Sequence, residues 1–509
     1  MTATISGRRL LGYSTSRNAS LLRRPTRRRR VDHFHHRYYF GGAAAGEGES
    51  LLRPAGLLFD YDTITTTPPP SSSSSSSLPN ANVSRGDDEL DAHLLPKGGN
   101  NLTERVKPLE SEYFFIPENN NQSHNTPNDN VRGGDVGRRK RVLVLCTGGT
   151  LTMAPNSEKG GALSPVPGAL TDFMKSMLEL TNCQMPQVVV HEYAPLIDSS
   201  DMGPCEWSVM ARDIQANYLH FDGFVVITGT DTMAYAATAL SFMFENLSKP
   251  VVFTGSQIPI GQPHSDARHN LLMALIFAGA RETPICEVTI FFHDRLVRAC
   301  RAQKVDASAL FAFDSPNMAP LATTGIAIRE NSHLILRPPA SGALRVSTRM
   351  DTRLLALRPV PGFDDQILST LIEAGAQSRS LRALILQLYG CGNAPAAKRA
   401  FINCLERANE LGILVIASTQ CHRGTVMMGH YATGKALASA GVISSNDMTL
   451  EAISCKTAYL MGRGDDLSND EIGRLMCEPL RGEVTHTDDI PPPPFSSTYQ
   501  RIVRNGRSL

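Results

Sequence analysis

The sequence has almost no net charge: 50 Lys and Arg against 49 Asp and Glu over 509 residues leave +1. That balance excludes the broad electrostatic attraction on which nucleic-acid binders depend. No segment reaches the roughly 18 uninterrupted apolar residues that span a bilayer, and the N-terminus lacks the apolar stretch of a secretory signal. The ten cysteines all lie between Cys146 and Cys477, without CxxC pairs. Thiols scattered in this way read as reduced core residues of an intracellular protein, not as a disulfide framework or zinc site. The sequons at Asn18, Asn82, Asn101 and Asn121 are then incidental. His191, His264, His269, His293 and His422 show no metal-ligand spacing with a carboxylate, so no metal is expected.

The chain is uneven along its length. Residues 1–30 hold nine arginines and no acid, the composition either of a basic tail on a cytoplasmic protein or of a mitochondrial transit peptide. Residues 1–138, with Pro68–Pro70, the serine run Ser71–Ser77 and ENNNQSHNTPNDN, bury too little apolar surface to offset ordering entropy and read as a disordered extension. Within them EYFFIP (Glu112–Pro117) is an apolar island suited to docking on a folded body.

From Lys140 the texture changes. The apolar runs at 142–146, 187–194, 223–228, 250–255 and 288–292 read as strands, and Pro167–Leu180, Pro204–Tyr218, Thr232–Leu247 and Ser265–Ala280 as helices. Short apolar strands alternating with helices of this length predict βαβ units on a parallel sheet. The pattern lapses over 337–352, an expected linker, and resumes with LLALRPVPG, ALILQLYG and GILVIAST. The expected fold is therefore two α/β domains with mostly parallel sheets, a larger one over 139–336 and a smaller one over 353–485, with a tail over 486–509.

Two strands end alike. RVLVLC runs into TGGT (Thr147–Thr150), and GFVVI runs into TGTDT (Thr228–Thr232). In open α/β sheets ligands bind beyond the carboxyl ends of strands. Glycines there let backbone N–H groups approach a ligand, and the threonines add hydroxyls. Each motif alone also reads as a turn with a helix cap. A threonine hydroxyl is a weak nucleophile and needs a base. Asp231 adjoins Thr230, and Lys304 is the sole lysine between Lys249 and Lys398. IDSSDM, with two hydroxyls between aspartates before a helix, suits an anion or a cap.

TGGT, the segment TGTDTMAYAATALSFMFENLSKPVVFTGSQIP, IDSSDM, LFAFDSPN and YATGKALASAGVISSNDMTLEA together resemble the type I L-asparaginases, over roughly residues 140–485. The resemblance implies hydrolysis of L-asparagine to L-aspartate and ammonia, without metal or organic cofactor. It implies that Thr150 is the nucleophile and that Thr230, Asp231 and Lys304 form a second catalytic group. Asp198, Ser199 and Ser200, with Thr230 and Asp231, would grip the α-carboxylate and α-amino groups. Asn393 and Glu451 are candidates for contributions across the subunit interface of a homodimer or homotetramer, with neither nucleic acid nor membrane as partner. Glutaminase or lysophospholipase activity on the same fold is the alternative, as is a non-catalytic asparagine sensor. The ankyrin repeats of large animal relatives are not seen after Thr485.

Some positions depart from the family pattern. The lid after TGGT usually carries a tyrosine before Pro-Val, and here Leu163 stands there. At a candidate allosteric site Gln387 replaces an arginine and Gln303 a threonine, while Cys421 fits. Glutamine cannot make arginine's bidentate pair with a carboxylate. For the N-terminus, a cytoplasmic reading predicts that deleting residues 1–35 leaves the cellular distribution unchanged. Loss of a mitochondrial pool, followed by fluorescent fusion, identifies a transit peptide instead.

Overall fold

A computed structural model describes residues 114–115, 139–157, 160–428, 432–464 and 467–485, all within the unit Gly86–Leu509. The expected disordered extension lies outside the described residues apart from Phe114–Phe115, as does the expected tail.

In chain order the elements begin with β1 (Phe114–Phe115) and β2 (Arg141–Cys146), followed by a hairpin of β3 (Met153–Asn156) and β4 (Ala162–Pro165). Then come α1 (Ala169–Lys175), β5 (Gln187–Glu192), α2 (Pro204–Asn217), β6 (Gly223–Ile227) and α3 (Met233–Met243). These are followed by β7 (Phe244–Glu245), β8 (Val251–Thr254), α4 (Ala267–Leu275), β9 (Val288–Phe292) and β10 (Arg295–Arg298). Five short strands complete this part: β11 (Gln303–Lys304), β12 (Phe313–Asp314), β13 (Ala322–Thr323), β14 (Arg329–Glu330) and β15 (Arg345–Val346). The main sheet has nine strands in the order β1-β5-β2-β6-β8-β9-β10-β13-β14. Strands β5, β2, β6, β8 and β9 are parallel, and antiparallel strands close both edges. The apolar island does dock: Phe114 pairs with Val190 and Phe115 with Val189 at one edge.

The continuous apolar runs follow from burial on both faces. In β2, Val142, Val144 and Cys146 pack with Leu170 and Met174 of α1 and Leu271 of α4. Leu143 and Leu145 alternate to the other face, against Met210 and Ile214 of α2 and Leu240 of α3.

The helices are shorter than predicted, for local reasons. Helix α1 starts after Gly168, whose N–H, with that of Thr171, donates to the Glu192 carboxylate (2.8 and 2.9 Å). It stops where the Ser176 hydroxyl turns back to the Phe173 carbonyl, and Leu178–Thr181 form a separate 3₁₀ turn. Helix α3 ends at Met243 because Phe244–Glu245 extend to pair with Arg345–Val346. The expected linker is thus partly a strand laid on the first part of the fold.

The second sheet is built from β16 (Leu354–Leu357), α5 (Asp365–Gln377), β17 (Ala383–Leu388), α6 (Arg399–Glu410), β18 (Leu414–Thr419), α7 (Ala432–Ser439) and β19 (Ile443–Ser444). Helices α8 (Leu450–Gly462) and α9 (Asn469–Cys477) follow. Its four strands are parallel and in sequential order. Leu384, Leu386 and Leu388 of β17 face α5 and α6. Ala383 and Ile385 face the opposite way and join Ile453 and Leu460 of α8 in the core that also holds α2 and α3. One apolar core therefore joins the two sheets, with α8 between them.

Inside it, Lys456 of α8 pairs with Glu483, both fully buried. Burial pulls the Lys456 ammonium below its usual range, and Glu483 only partly offsets this. Glu483 also accepts the N–H groups of Leu480 and Arg481 (3.1 and 2.7 Å). Replacing Lys456 by Met leaves that carboxylate buried and unpaired. A loss of about 3 kcal/mol is expected, read from urea unfolding at neutral pH.

Candidate active site

The carboxyl ends of β2, β5 and β6 bring three of the sequence motifs together. Thr147 is buried and ends β2; its N–H donates to the Ile227 carbonyl (2.9 Å), and its own carbonyl accepts from Ile197 (2.8 Å). Those two bonds tie TGGT to TGTDT and to IDSSDM. Gly149 has φ +86°, and a Cβ there would lie 2.2 Å from the Gly229 nitrogen. A Cβ on Gly229 would in turn lie 2.6 Å from the Ser199 Oγ. The three loops therefore pack backbone to backbone, which only glycine permits. This is why the strands end as they do.

Thr150 follows as the first residue of a 3₁₀ turn, Thr150–Thr152, partly exposed above this floor. The hairpin β3–β4 then rises from the floor. The carbonyl of Leu151 takes the Ile260 N–H (3.0 Å), and Val166 returns to the Thr152 carbonyl (3.0 Å). Leu163 sits on the hairpin opposite Pro155 with about half its surface exposed (48%).

Lys304 reaches the loop after β6. Its Nζ lies 2.8 Å from the Thr230 Oγ1 and 2.7 Å from the Asp231 Oδ1. Thr230 is buried, the Lys304 side chain nearly so, and Asp231 is open to solvent. Lys304 belongs to β11, which pairs with β12 (Lys304 with Phe313, Gln303 with Asp314). A two-residue strand has no regular length to predict, so the position of Lys304 was not legible from periodicity.

Gln257 was not foreseen. Its Oε1 lies 3.3 Å from the Thr230 hydroxyl, and its Nε2 donates to the Ala309 carbonyl (3.1 Å). Its N–H is fixed by the Asp266 carboxylate (3.1 Å). The signal was the polar pair in GSQIP directly after β8, the next strand in the parallel sheet. With Lys304 charged, Thr230 accepts from the ammonium and turns its own proton toward Gln257. With Lys304 neutral, the same hydroxyl can donate to the amine.

In IDSSDM, Asp198 is a cap: its Oδ1 accepts from the N–H and Oγ of Ser200 (3.0 and 3.1 Å). Ser199 is buried and its Oγ has no hydrogen-bond partner among the described residues. Its carbonyl accepts from the Thr232 hydroxyl at the start of α3. A buried free hydroxyl against Gly229 is an unfilled donor facing the floor.

The remaining expected residues lie elsewhere. Asn393 sits in the turn after β17, bonded to Thr433 (2.9 Å) and bridged to Tyr389. Gln387 and Cys421 share the carboxyl edge of the second sheet, where Gln420 Nε2 donates to the Gln387 carbonyl (2.9 Å) and Cys421 is exposed. Glu451 is buried in the first turn of α8, and its Oε2 has no hydrogen-bond partner among the described residues. Of the ten thiols, five are buried; Cys183, Cys421 and Cys477 are exposed, so the core reading holds for half of them. Among the described residues no group of three or more His, Cys, Asp or Glu is placed to hold a metal ion, and no helix is long and apolar enough to cross a membrane.

Comparison with known proteins gives a consistent result. Residues 141–336 match the family model described as asparaginase, N-terminal, and residues 354–476 match the glutaminase/asparaginase C-terminal domain. L-asparaginase 1 of Escherichia coli is 44% identical over 354 residues, covering 69% of this chain and 100% of that protein. The 60 kDa lysophospholipase of Mus musculus is 38% identical over 371 residues, 69% of this chain and 63% of that one. The crystal structure of L-asparaginase I from Vibrio cholerae superposes with a TM-score of 0.62 at 40% identity, covering 68% of this chain and 100% of that one.

The floor geometry makes a direct prediction. Gly149→Ala forces a Cβ into the Gly229 backbone and strains a positive φ. A loss of more than about 2 kcal/mol in urea unfolding is expected; an unchanged midpoint would sink the backbone-packing account.

Proposed function

The chain belongs to the asparaginase family, and on that premise we propose that it is an L-asparaginase, cleaving the side-chain amide of L-asparagine to L-aspartate and ammonia. The observation that carries this reading is the Lys304 ammonium bonded to both Thr230 and Asp231, directly after the Gly229 on which Gly149 packs. A buried hydroxyl is paired with an amine that, once unprotonated, can take and return its proton.

In the proposed reaction, the Thr150 Oγ attacks the amide carbon. Its proton passes to the leaving nitrogen, the C–N bond breaks, and ammonia departs. An ester joins Thr150 to the β-carboxyl carbon. Water attacks that ester, its proton passing through Thr230 and the unprotonated Lys304 amine and on to the departing Thr150 Oγ, which restores Thr150 and leaves aspartate. Backbone N–H groups of the glycine floor are suited to the oxyanion of both tetrahedral intermediates, because fixed donors need no reorganisation as charge develops. Support for the binding roles comes from the free Ser199 hydroxyl and from Ser200, which suit the α-carboxylate. The exposed Asp231 carboxylate suits the α-ammonium. Neither step calls for a metal or organic cofactor. The reading includes a cytoplasmic enzyme assembled as a homodimer or homotetramer.

The test is ammonia release by the purified full chain from L-asparagine and, separately, from L-glutamine. Thr150→Ala and Thr230→Ala should each lower the asparagine rate by about 10²-fold or more. If wild type and Thr150→Ala release ammonia equally slowly, the chain is not an asparaginase.

A further inference from the structure

The Lys304 ammonium and the Gln257 amide belong to one closed ring of hydrogen bonds. Lys304 Nζ donates to the Thr230 hydroxyl (2.8 Å), Thr230 to Gln257 Oε1 (3.3 Å), and Gln257 Nε2 to the Ala309 carbonyl (3.1 Å). Ala309 lies in the loop that joins Lys304 on β11 to Phe313 on β12, and this closes the ring. The loop is tight: the Val305 N–H donates to the Ala312 carbonyl (2.8 Å), and the Asp306 carboxylate takes the N–H groups of Ser308 and Ala309 (both 2.7 Å). Arg295 holds it at Phe311, with the guanidinium 4.3 Å from the ring centroid. Gln257 ties the same loop to Thr230.

The ring has one direction. A carbonyl oxygen only accepts, so Ala309 fixes Nε2 as the end of the Gln257 amide that faces it, and the acceptor Oε1 is left for Thr230. A hydroxyl has a single proton. With that proton committed to Gln257, Thr230 turns a lone pair to the Lys304 ammonium, and both groups are satisfied. Gln257 is itself fixed at its main chain. The Asp266 carboxylate takes its N–H (3.1 Å) together with the Ile258 N–H (3.1 Å) and the Asn270 side-chain amide (3.0 Å). Residues of similar length cannot replace it: methionine has no polar head, and a glutamate carboxylate accepts from Thr230 but donates nothing to Ala309.

We propose that Gln257 is a positioning residue: it ties the loop after Lys304 to Thr230 and sets the direction of the Thr230 hydroxyl, keeping the ammonium aligned on it. The kinetic form of this inference rests on the asparaginase reading; its geometric form does not. Gln257→Met should lower kcat for L-asparagine at least about fivefold, the worth of one hydrogen bond. KM should stay within about twofold, since the ring serves proton transfer more than binding. In a Thr230→Val background the same change should cost nothing further, because Gln257 acts through that hydroxyl.

Amide hydrogen exchange over residues 304–312, read by mass spectrometry on the full chain, follows the same tie without turnover. Exchange should rise several-fold in Gln257→Met. It should rise as well in Gln257→Glu, which keeps the size of the native side chain and loses the donor to Ala309. Unchanged exchange in either variant overturns the inference. A kcat loss below about fivefold in Gln257→Met does so too, as do losses that multiply with Thr230→Val. Should Gln257→Met fail to fold, Gln257→Glu decides by exchange alone. Wild type without asparaginase activity refutes the functional reading, and exchange then decides the positioning role.

Discussion

Everything at the site depends on the contact between Gly149 and Gly229. Two parallel strands deliver their ends so close that neither residue has room for a Cβ, and Ser199 closes on Gly229 from a third loop. Thr150 and Thr230 stand one residue beyond those glycines, so their separation is set by backbone packing and not by side-chain choice. Strand registers on both sides of β2 fix the rest: Cys146 pairs with Glu192 on β5 and Ile227 on β6. A slip of one residue would turn each buried side chain to the other face of a sheet covered on both sides, and the glycines could no longer meet.

The second part of the fold contributes from behind. The stretch that ends in Lys304 is anchored by Arg301, whose guanidinium pairs with Asp447 (2.7 Å) and donates to the Gly482 carbonyl (2.8 Å). The partner strand β12 is anchored by Asp314, held between Arg295 (2.9 Å) and Arg423 (3.2 Å). Asn317 donates to the Asp447 carbonyl (2.8 Å). The Arg301–Asp447 pair is buried, where removing one partner leaves an uncompensated charge. The C-terminal sheet thus braces the lysine while supplying no side chain to the Thr150 floor among the described residues.

How much of this was legible in the sequence varied with the range of the interaction. Strands β2, β5, β6, β8 and β9 fell where continuous apolar runs placed them, because burial on both faces writes itself directly into composition. Helix ends were read less well. Helix α3 stops at Met243 for a strand pairing with residues a hundred positions later, and α1 stops for a serine bond that periodicity cannot show. At the site, TGGT and TGTDT were visible as glycines after strands, but their mutual contact was not. Lys304 stood out as the sole lysine between Lys249 and Lys398 and by motif resemblance, not by periodicity, since its strand is two residues long. Gln257 was missed because a lone amide after a strand is common, and its role depends on Asp266 and Ala309, 9 and 52 residues along the chain.

A floor made of main chain is also a fixed standard for the substrates it can read. Backbone N–H groups recognise an oxygen by charge and direction, and no substitution can retune them without breaking the fold. On the proposed reading, discrimination between amides that differ by one methylene, worth about 1–3 kcal/mol, is therefore left to the rim: Ser200, the Asp231 carboxylate and the β3–β4 hairpin. Leu163 on that hairpin is half exposed. The molecule confines adaptation to the part of the pocket it can alter without refolding the rest.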